Sequence, residues 1–210
     1  MMKLNPDSLS RKENYRLLIG AVLPRPIAFV TTKSKAGVVN AAPFSFYNVL
    51  TAEPPLIGIS VGRKPDGTPK DTARNGQEIG EFVVHVVDEQ NVEAVNVSSI
   101  PLPPEESEVE YAGLTEVPSE VVSVPSLAES RIRLECKVEN VIPIGGKGGE
   151  PAADFLIGRV VHYEVADDLF QDGGIDTEAL RPVSRLAGNE YGKYGETFSL
   201  DRPTISQNRE

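Results

Sequence analysis

Between Ser60 and Thr72 the chain reads SVGRKPDGTPKDT. One hydroxyl (Ser60) and two cations (Arg63, Lys64) lead into a helix start that carries Lys70 and Thr72. A hydroxyl, cationic side chains and the free N–H groups of a first helical turn are what a phosphate requires. The competing reading is a solvated charged loop, with Lys70 decorating a helix end. A lysine in a first turn opposes the helix dipole, and a neighbouring anion would relieve that conflict. Neither nucleotide fingerprint, G-x-x-x-x-G-K-S/T or G-x-G-x-x-G, is present.

A second stretch has a different chemistry. Residues 40–48 read NAAPFSFYN, with three aromatics, a proline and a serine between two asparagines. One reading is a barrel corner, where Phe44 and Phe46 plug the core while Ser45 and Asn48 satisfy the turn backbone. The other is a ledge for a planar ligand. There Asn40, Ser45, Asn48 and backbone amides freed by Pro43 meet the polar edge of a heterocycle. Together the two stretches suggest a phosphorylated planar heterocycle.

Composition narrows the partners. The chain has 210 residues and a net charge of −10, which argues against nucleic acid and against an anionic membrane surface. A single cysteine, Cys136, allows no internal disulfide and favours a cytoplasmic setting. The two histidines, His85 and His162, lack metal-ligand spacing, so no metal site is expected. Cys136 falls on an apolar strand face and reads as inert core. His162 reads as a strand residue with a satisfied hydrogen bond. No catalytic triad is apparent.

Elements must position these groups. Tyr15, Leu18, Ile19 and Val22 recur at helical spacing within 8–23, after a capping serine and before Pro24. Strands are expected at 26–32, 38–42, 54–61, 81–87, 130–143 and 154–166, the first two joined by the KSKAG turn. A helix is expected over 68–79, with Thr68 as N-cap, Pro69 at the first position and Asp71 closing a capping box. A short helix is expected at 88–99. In 130–143, Ile132, Leu134, Cys136 and Val138 alternate with Arg133, Glu135, Lys137 and Glu139, as in a half-buried antiparallel strand. The proline- and acid-rich 101–126 reads as a long surface excursion, and the glycine- and tyrosine-rich tail as irregular. Strands cluster with few helices between them. The expected architecture is therefore mainly antiparallel β, one domain over 1–210, a barrel with peripheral helices.

The motifs PRPIAFVTT, NAAPFSFYN, PPLIGIS, KDTARN and EFVV, with IGRVVHYEV and the tail SRLAGNEYGKYGETFSLDRP, resemble the flavin reductase-like family. The likeness covers the whole chain and is closest to flavoredoxin and the reductase components of two-component monooxygenases. It implies an FMN-binding split β-barrel and a homodimer with FMN near the subunit interface. It sets the ring against residues 40–48, Ala42, Pro43 and Phe44 among them, and the phosphate near Ser60, Arg63, Lys70, Thr72 and Asn75. Tyr191 and Tyr194 would cover the flavin or the nicotinamide, or anchor the C-terminus. The implied activity is an NAD(P)H-dependent flavin reductase feeding a partner such as a monooxygenase. An electron-transfer protein with tightly held FMN and a non-catalytic flavin-binding dimer stay open beside it. The chain departs from the family pattern at Asn75-Gly76, His85 and Ala187.

Overall fold

The computed structural model describes residues 1–204. Seven long strands form one antiparallel sheet: β1 (Ala28–Lys33), β2 (Val39–Phe44), β3 (Tyr47–Ala52), β4 (Pro55–Gly62), β5 (Glu81–Val86), β6 (Ile132–Ile144) and β7 (Ala153–Val165). Their order is β2-β1-β5-β6-β7-β4-β3. The two edge strands, β2 and β3, are thus consecutive in the chain, linked through Ser45 and Phe46. The sheet curls into a barrel whose seam is bridged by that link, which β4 secures through a hydrogen bond from the Ser60 N–H to the Phe46 carbonyl at 2.8 Å, next to the Tyr47–Ile59 pair. NAAPFSFYN crosses the seam. Strand β3 was not expected from sequence, because the change of strand falls inside that stretch and its exposed residues show no alternation. Pro43, which lacks an N–H, is tolerated in β2 because β2 is an edge.

Alternation sets two apolar layers. Ala28, Val30, Phe44, Ile59, Phe82, Cys136 and Leu156 fill the barrel. Phe29, Ala41, Val95, Val109, Leu127 and Val183 pack on its outer face. Strand β1 therefore has both faces covered. Inside the barrel, a Cβ on Gly158 would lie 2.2 Å from the buried Phe82 ring, so only glycine fits there. Burial pushes the Cys136 thiol far up, consistent with an inert core role.

Several expectations are corrected. Helix α1 runs Arg11–Ala21 with a Ser10–Glu13 capping box, yet Tyr15, Leu18 and Val22 on its apolar face are exposed. Helix α2 begins at Asp71, not near Thr68; its N-cap is Lys70, with no side-chain cap. Thr68 is drawn into a turn instead, donating its N–H (2.9 Å) and hydroxyl (2.6 Å) to Asp66 Oδ1. A local side-chain turn has out-competed the cap. Helix α3 is only Val92–Val97, because Asp88 and Asn91 hydrogen-bond each other's backbone ahead of it.

The 101–126 segment is a packed arm, not a surface excursion. It carries the single-turn α4 (Glu108–Tyr111) and a two-residue ladder, Glu116–Val117 with Ser126–Leu127. Val109, Val122, Val124 and Leu127 are buried. Two charged or titratable side chains of the sheet hold it. Glu135, expected on a solvent face, is fully buried and accepts three backbone N–H groups, from Glu120, Val121 and Val122, at 2.7–2.9 Å. Burial alone would raise its pKa, but those three donors and nearby His162 hold it below the usual range.

His85 grips the arm from β5. Its Nε2 accepts the Leu127 N–H at 3.0 Å, so the proton sits on Nδ1, which donates to the Phe29 carbonyl at 3.1 Å. Burial drives its pKa down from 6.5 to about 3. The folded protein binds this proton less readily than the unfolded chain does. The His85 contribution is thus complete above pH 6.5 and lost progressively as pH falls toward 3. Each unit costs at most about 1.4 kcal/mol. His85→Asn keeps a donor and an acceptor without a titratable nitrogen. Denaturant melts at pH 7 and pH 5 should show wild type losing roughly 2 kcal/mol more than the variant. Equal losses would remove His85 from the acid response.

Candidate functional site

The end of β2, the first turn of α2, the 63–66 turn and the loop after α3 enclose a cleft of about 790 Å³. Its β2 wall is Asn40, Ala42, Pro43 and Phe44. Its cationic end is Arg63, Lys64 and Lys70, beside Asp71 and Thr72. The opposite wall is Ser98–Leu102, with Glu108 reaching in from α4. Seven of the expected residues therefore meet here: Asn40, Ala42, Pro43, Phe44, Arg63, Lys70 and Thr72.

The charges are not equivalent. Arg63 is committed to Asp154 through two hydrogen bonds, Nε to Oδ2 at 3.0 Å and Nη2 to Oδ1 at 2.6 Å. Lys64 lies 3.3 Å from Asp71 Oδ2. Arg74 Nη2 lies 2.5 Å from Asp71 Oδ1 but out of line, leaving that buried oxygen without a hydrogen bond. Among the described residues, Lys70 makes no ion pair and is the cleft cation free for a ligand. It stands at the N-cap of a nine-residue helix that no side chain caps, so the first-turn N–H groups are also free of side-chain acceptors. A free ammonium beside an uncapped helix N-terminus suits one phosphate.

Three expected ligands lie one layer deeper. Thr72 is 1% exposed, Asn75 2% and Asn40 8%. Thr72 Oγ1 donates to Asn40 Oδ1 at 3.0 Å, and Asn75 Nδ2 donates to Thr32 Oγ1 at 3.3 Å. Their hydrogen-bonding groups serve the floor of the cleft. Glu108 and the Ser98–Leu102 wall were missed from sequence, since nothing local sets one glutamate apart in an acid-rich arm.

Six further expected residues lie outside the cleft in the single chain. Ser60 sits on β4 between the core residues Ile59 and Val61. Ser45 receives the Arg25 Nε–H at 3.4 Å. Phe46 and Asn48 are exposed at the seam, where Asn48 Oδ1 accepts the Val49 N–H at 2.8 Å. Tyr191 anchors the C-terminal segment: its hydroxyl donates to Asn96 at 3.0 Å, and Arg185 stacks 4.5 Å above its ring. Tyr194 Oη lies 3.3 Å from the Thr177 hydroxyl.

Comparison with known proteins agrees with this architecture. The flavin reductase like domain model matches residues 20–179. YwrF of Bacillus subtilis is 52% identical over 200 residues, 94% of this chain and 97% of its own. Nitrilotriacetate monooxygenase component B from Bacillus cereus superposes with a TM-score of 0.93 at 52% identity, over 95% of this chain and 98% of that one. The 2-nitrobenzoate 2-nitroreductase NbaA of Pseudomonas fluorescens does so with 0.82 at 30% identity, over 97% and 98%. The barrel is the split barrel of flavin reductases.

FMN fits what the cleft offers: one free cation and one uncapped helix start for its phosphate, and an apolar wall for its ring. Lys70→Ala should weaken FMN binding roughly tenfold or more, through loss of a charge-assisted bond, while riboflavin binding changes little. Lys64→Ala, with its partner Asp71, should fall well short of that. Fluorescence titration of both flavins checks this, and equal losses for the two would take the phosphate away from Lys70.

Proposed function

Because the chain belongs to the flavin reductase like family, we propose that it is an FMN-binding oxidoreductase. In this reading it takes hydride from NADH or NADPH and supplies reduced flavin or electrons to a partner such as a monooxygenase. The observation that carries the reading is the free Lys70 ammonium at an uncapped helix start, beside the apolar Ala42-Pro43-Phe44 wall. The likeness to a monooxygenase component B supports the choice of partner class.

Bound FMN supplies the hydride-accepting ring. The chain's own residues then bind and orient. Lys70 and the α2 N–H groups hold the phosphate, and the β2 wall carries the ring. The bottom of the cleft is Asn40 and Thr72, whose polar groups already bond one another. Hydride transfer to a flavin needs no protein acid or base.

The active form is a homodimer. Phe46, Val49 and Leu50 on the seam side and Leu18, Val22 and Leu23 of α1 and its C-terminal end are all more than 40% exposed. Apolar surface of that extent on one chain favours a second copy. Pairing would bring the seam residues Phe46 and Asn48 against a second wall and bury more of a planar cofactor than one cleft does. Purified protein titrated with FMN should show the visible flavin bands at a dimer's sedimentation coefficient, and should oxidise NADH or NADPH faster when FMN is added. Failure to bind flavin at excess FMN would end the proposal. Flavin binding without nicotinamide oxidation would remove its reductase part.

A further inference from the structure

Strand β2 lies at a sheet edge, so alternate backbone groups face away from β1 and need other partners. The acid-rich arm supplies them. Ser107 Oγ donates to the Val39 carbonyl at 2.7 Å, and Glu108 Oε2 accepts the Ala41 N–H at 3.1 Å. The same Glu108 oxygen accepts Asn40 Nδ2 at 2.7 Å. That contact fixes which way the Asn40 amide faces. Its nitrogen points to Glu108, so its oxygen is left for Thr72 Oγ1 at 3.0 Å and Thr32 Oγ1 at 3.4 Å. Thr72 is the second residue of α2, directly after Asp71 and two after the free Lys70. A line of hydrogen bonds therefore runs from the arm, through Asn40, into the helix turn at the cationic end of the cleft. Glu108 is 8% exposed and lies against the cleft with Asn40 and Thr72.

We propose that Glu108 is a positioning residue for the cofactor phosphate: acting through Asn40, it sets the first turn of α2 against the edge of β2. The proposal rests on the reading that the cleft takes FMN. It is counter-intuitive on charge alone, since a buried carboxylate two hydrogen bonds from Thr72 repels a phosphate. The two effects have opposite signs in one variant. Glu108→Ala removes the negative charge together with the single oxygen that accepts both the Ala41 N–H and Asn40 Nδ2. Simple repulsion predicts tighter FMN binding for the variant, and positioning predicts weaker.

The experiment is FMN and riboflavin titration by fluorescence quenching of wild type, Glu108→Ala, Asn40→Ala and the double variant, with thermal melts alongside. Wild-type binding of FMN comes first; its absence would defeat the functional reading and not this proposal's logic. Given binding, each single variant should lose about tenfold in FMN affinity, with a smaller change for riboflavin. The double variant should lose no more than the worse single one, because both changes cut the same line. Unchanged or tighter FMN binding by Glu108→Ala overturns the proposal. So do losses that multiply in the double variant, or equal losses for both flavins, which would mark a general effect on the fold. Should Asn40→Ala fail to fold, Asn40→Asp replaces it in the cycle. It sets a carboxylate against Glu108, is expected to weaken FMN at least as much, and overturns the proposal if it binds FMN as wild type does.

Discussion

The structure turns on how a curled sheet deals with its own free edges. β2 and β3 are neighbours in sequence but not in the ladder, so the seam between them is spanned by the Ser45-Phe46 link and left otherwise open. An open edge exposes backbone donors and acceptors that must be met or aggregate. Two devices meet them on β2. Pro43 removes one donor outright, and α4 covers Ala41 and Val39 with a carboxylate and a hydroxyl. The cleft then forms beside the treated edge. What makes the site possible is thus a topological defect in the barrel, with the arm packed against it.

Buried polar groups hold the arm in place, and all three are matched. Glu135 gathers three successive amides, His85 takes the Leu127 amide, and Thr31 donates to the Pro125 carbonyl at 2.8 Å. Each lies on a sheet strand and reaches outward to backbone that would otherwise lack a partner. A buried group that is fully partnered specifies one arrangement; losing a partner leaves a costly orphan. The arm has little regular structure of its own, so these side chains do for it what a ladder does for a strand.

Where the pattern was strong, the sequence was legible. The strand runs expected at 81–87, 130–143 (the one with clean alternation) and 154–166 became β5, β6 and β7 with ends shifted by a residue or two. The cationic and β2 portions of the cleft were legible because phosphate chemistry restricts residue types. Other features were hidden for identifiable reasons. Thr68 and Pro69 look like a helix start, but Asp66 captured Thr68 first. β3 is exposed along most of its length and so shows no alternation. Glu108 and Glu135 are ordinary acids in local sequence, and only distant backbone makes them structural. Asn40, expected at the ring, and Thr72 and Asn75, expected at the phosphate, are all buried, which sets them behind the surface a ligand would touch.

Arg25 joins parts of the chain that are far apart in sequence. Its guanidinium is buried, donating to the Ile19 and Val22 carbonyls at the end of α1 and to the Leu186 carbonyl near the C-terminus, each at 2.8 Å, and to Ser45 at the seam. The carbonyl end of a helix is a favourable seat for a cation. The end of α1 and the segment at Leu186 are thereby latched to one charge beside the seam. A chain lacking α1, or cut before Leu186, would leave that cation facing missing acceptors in a dry place. Helix α1 and the segment at Leu186 are therefore one cooperative unit, despite being separated by the entire barrel.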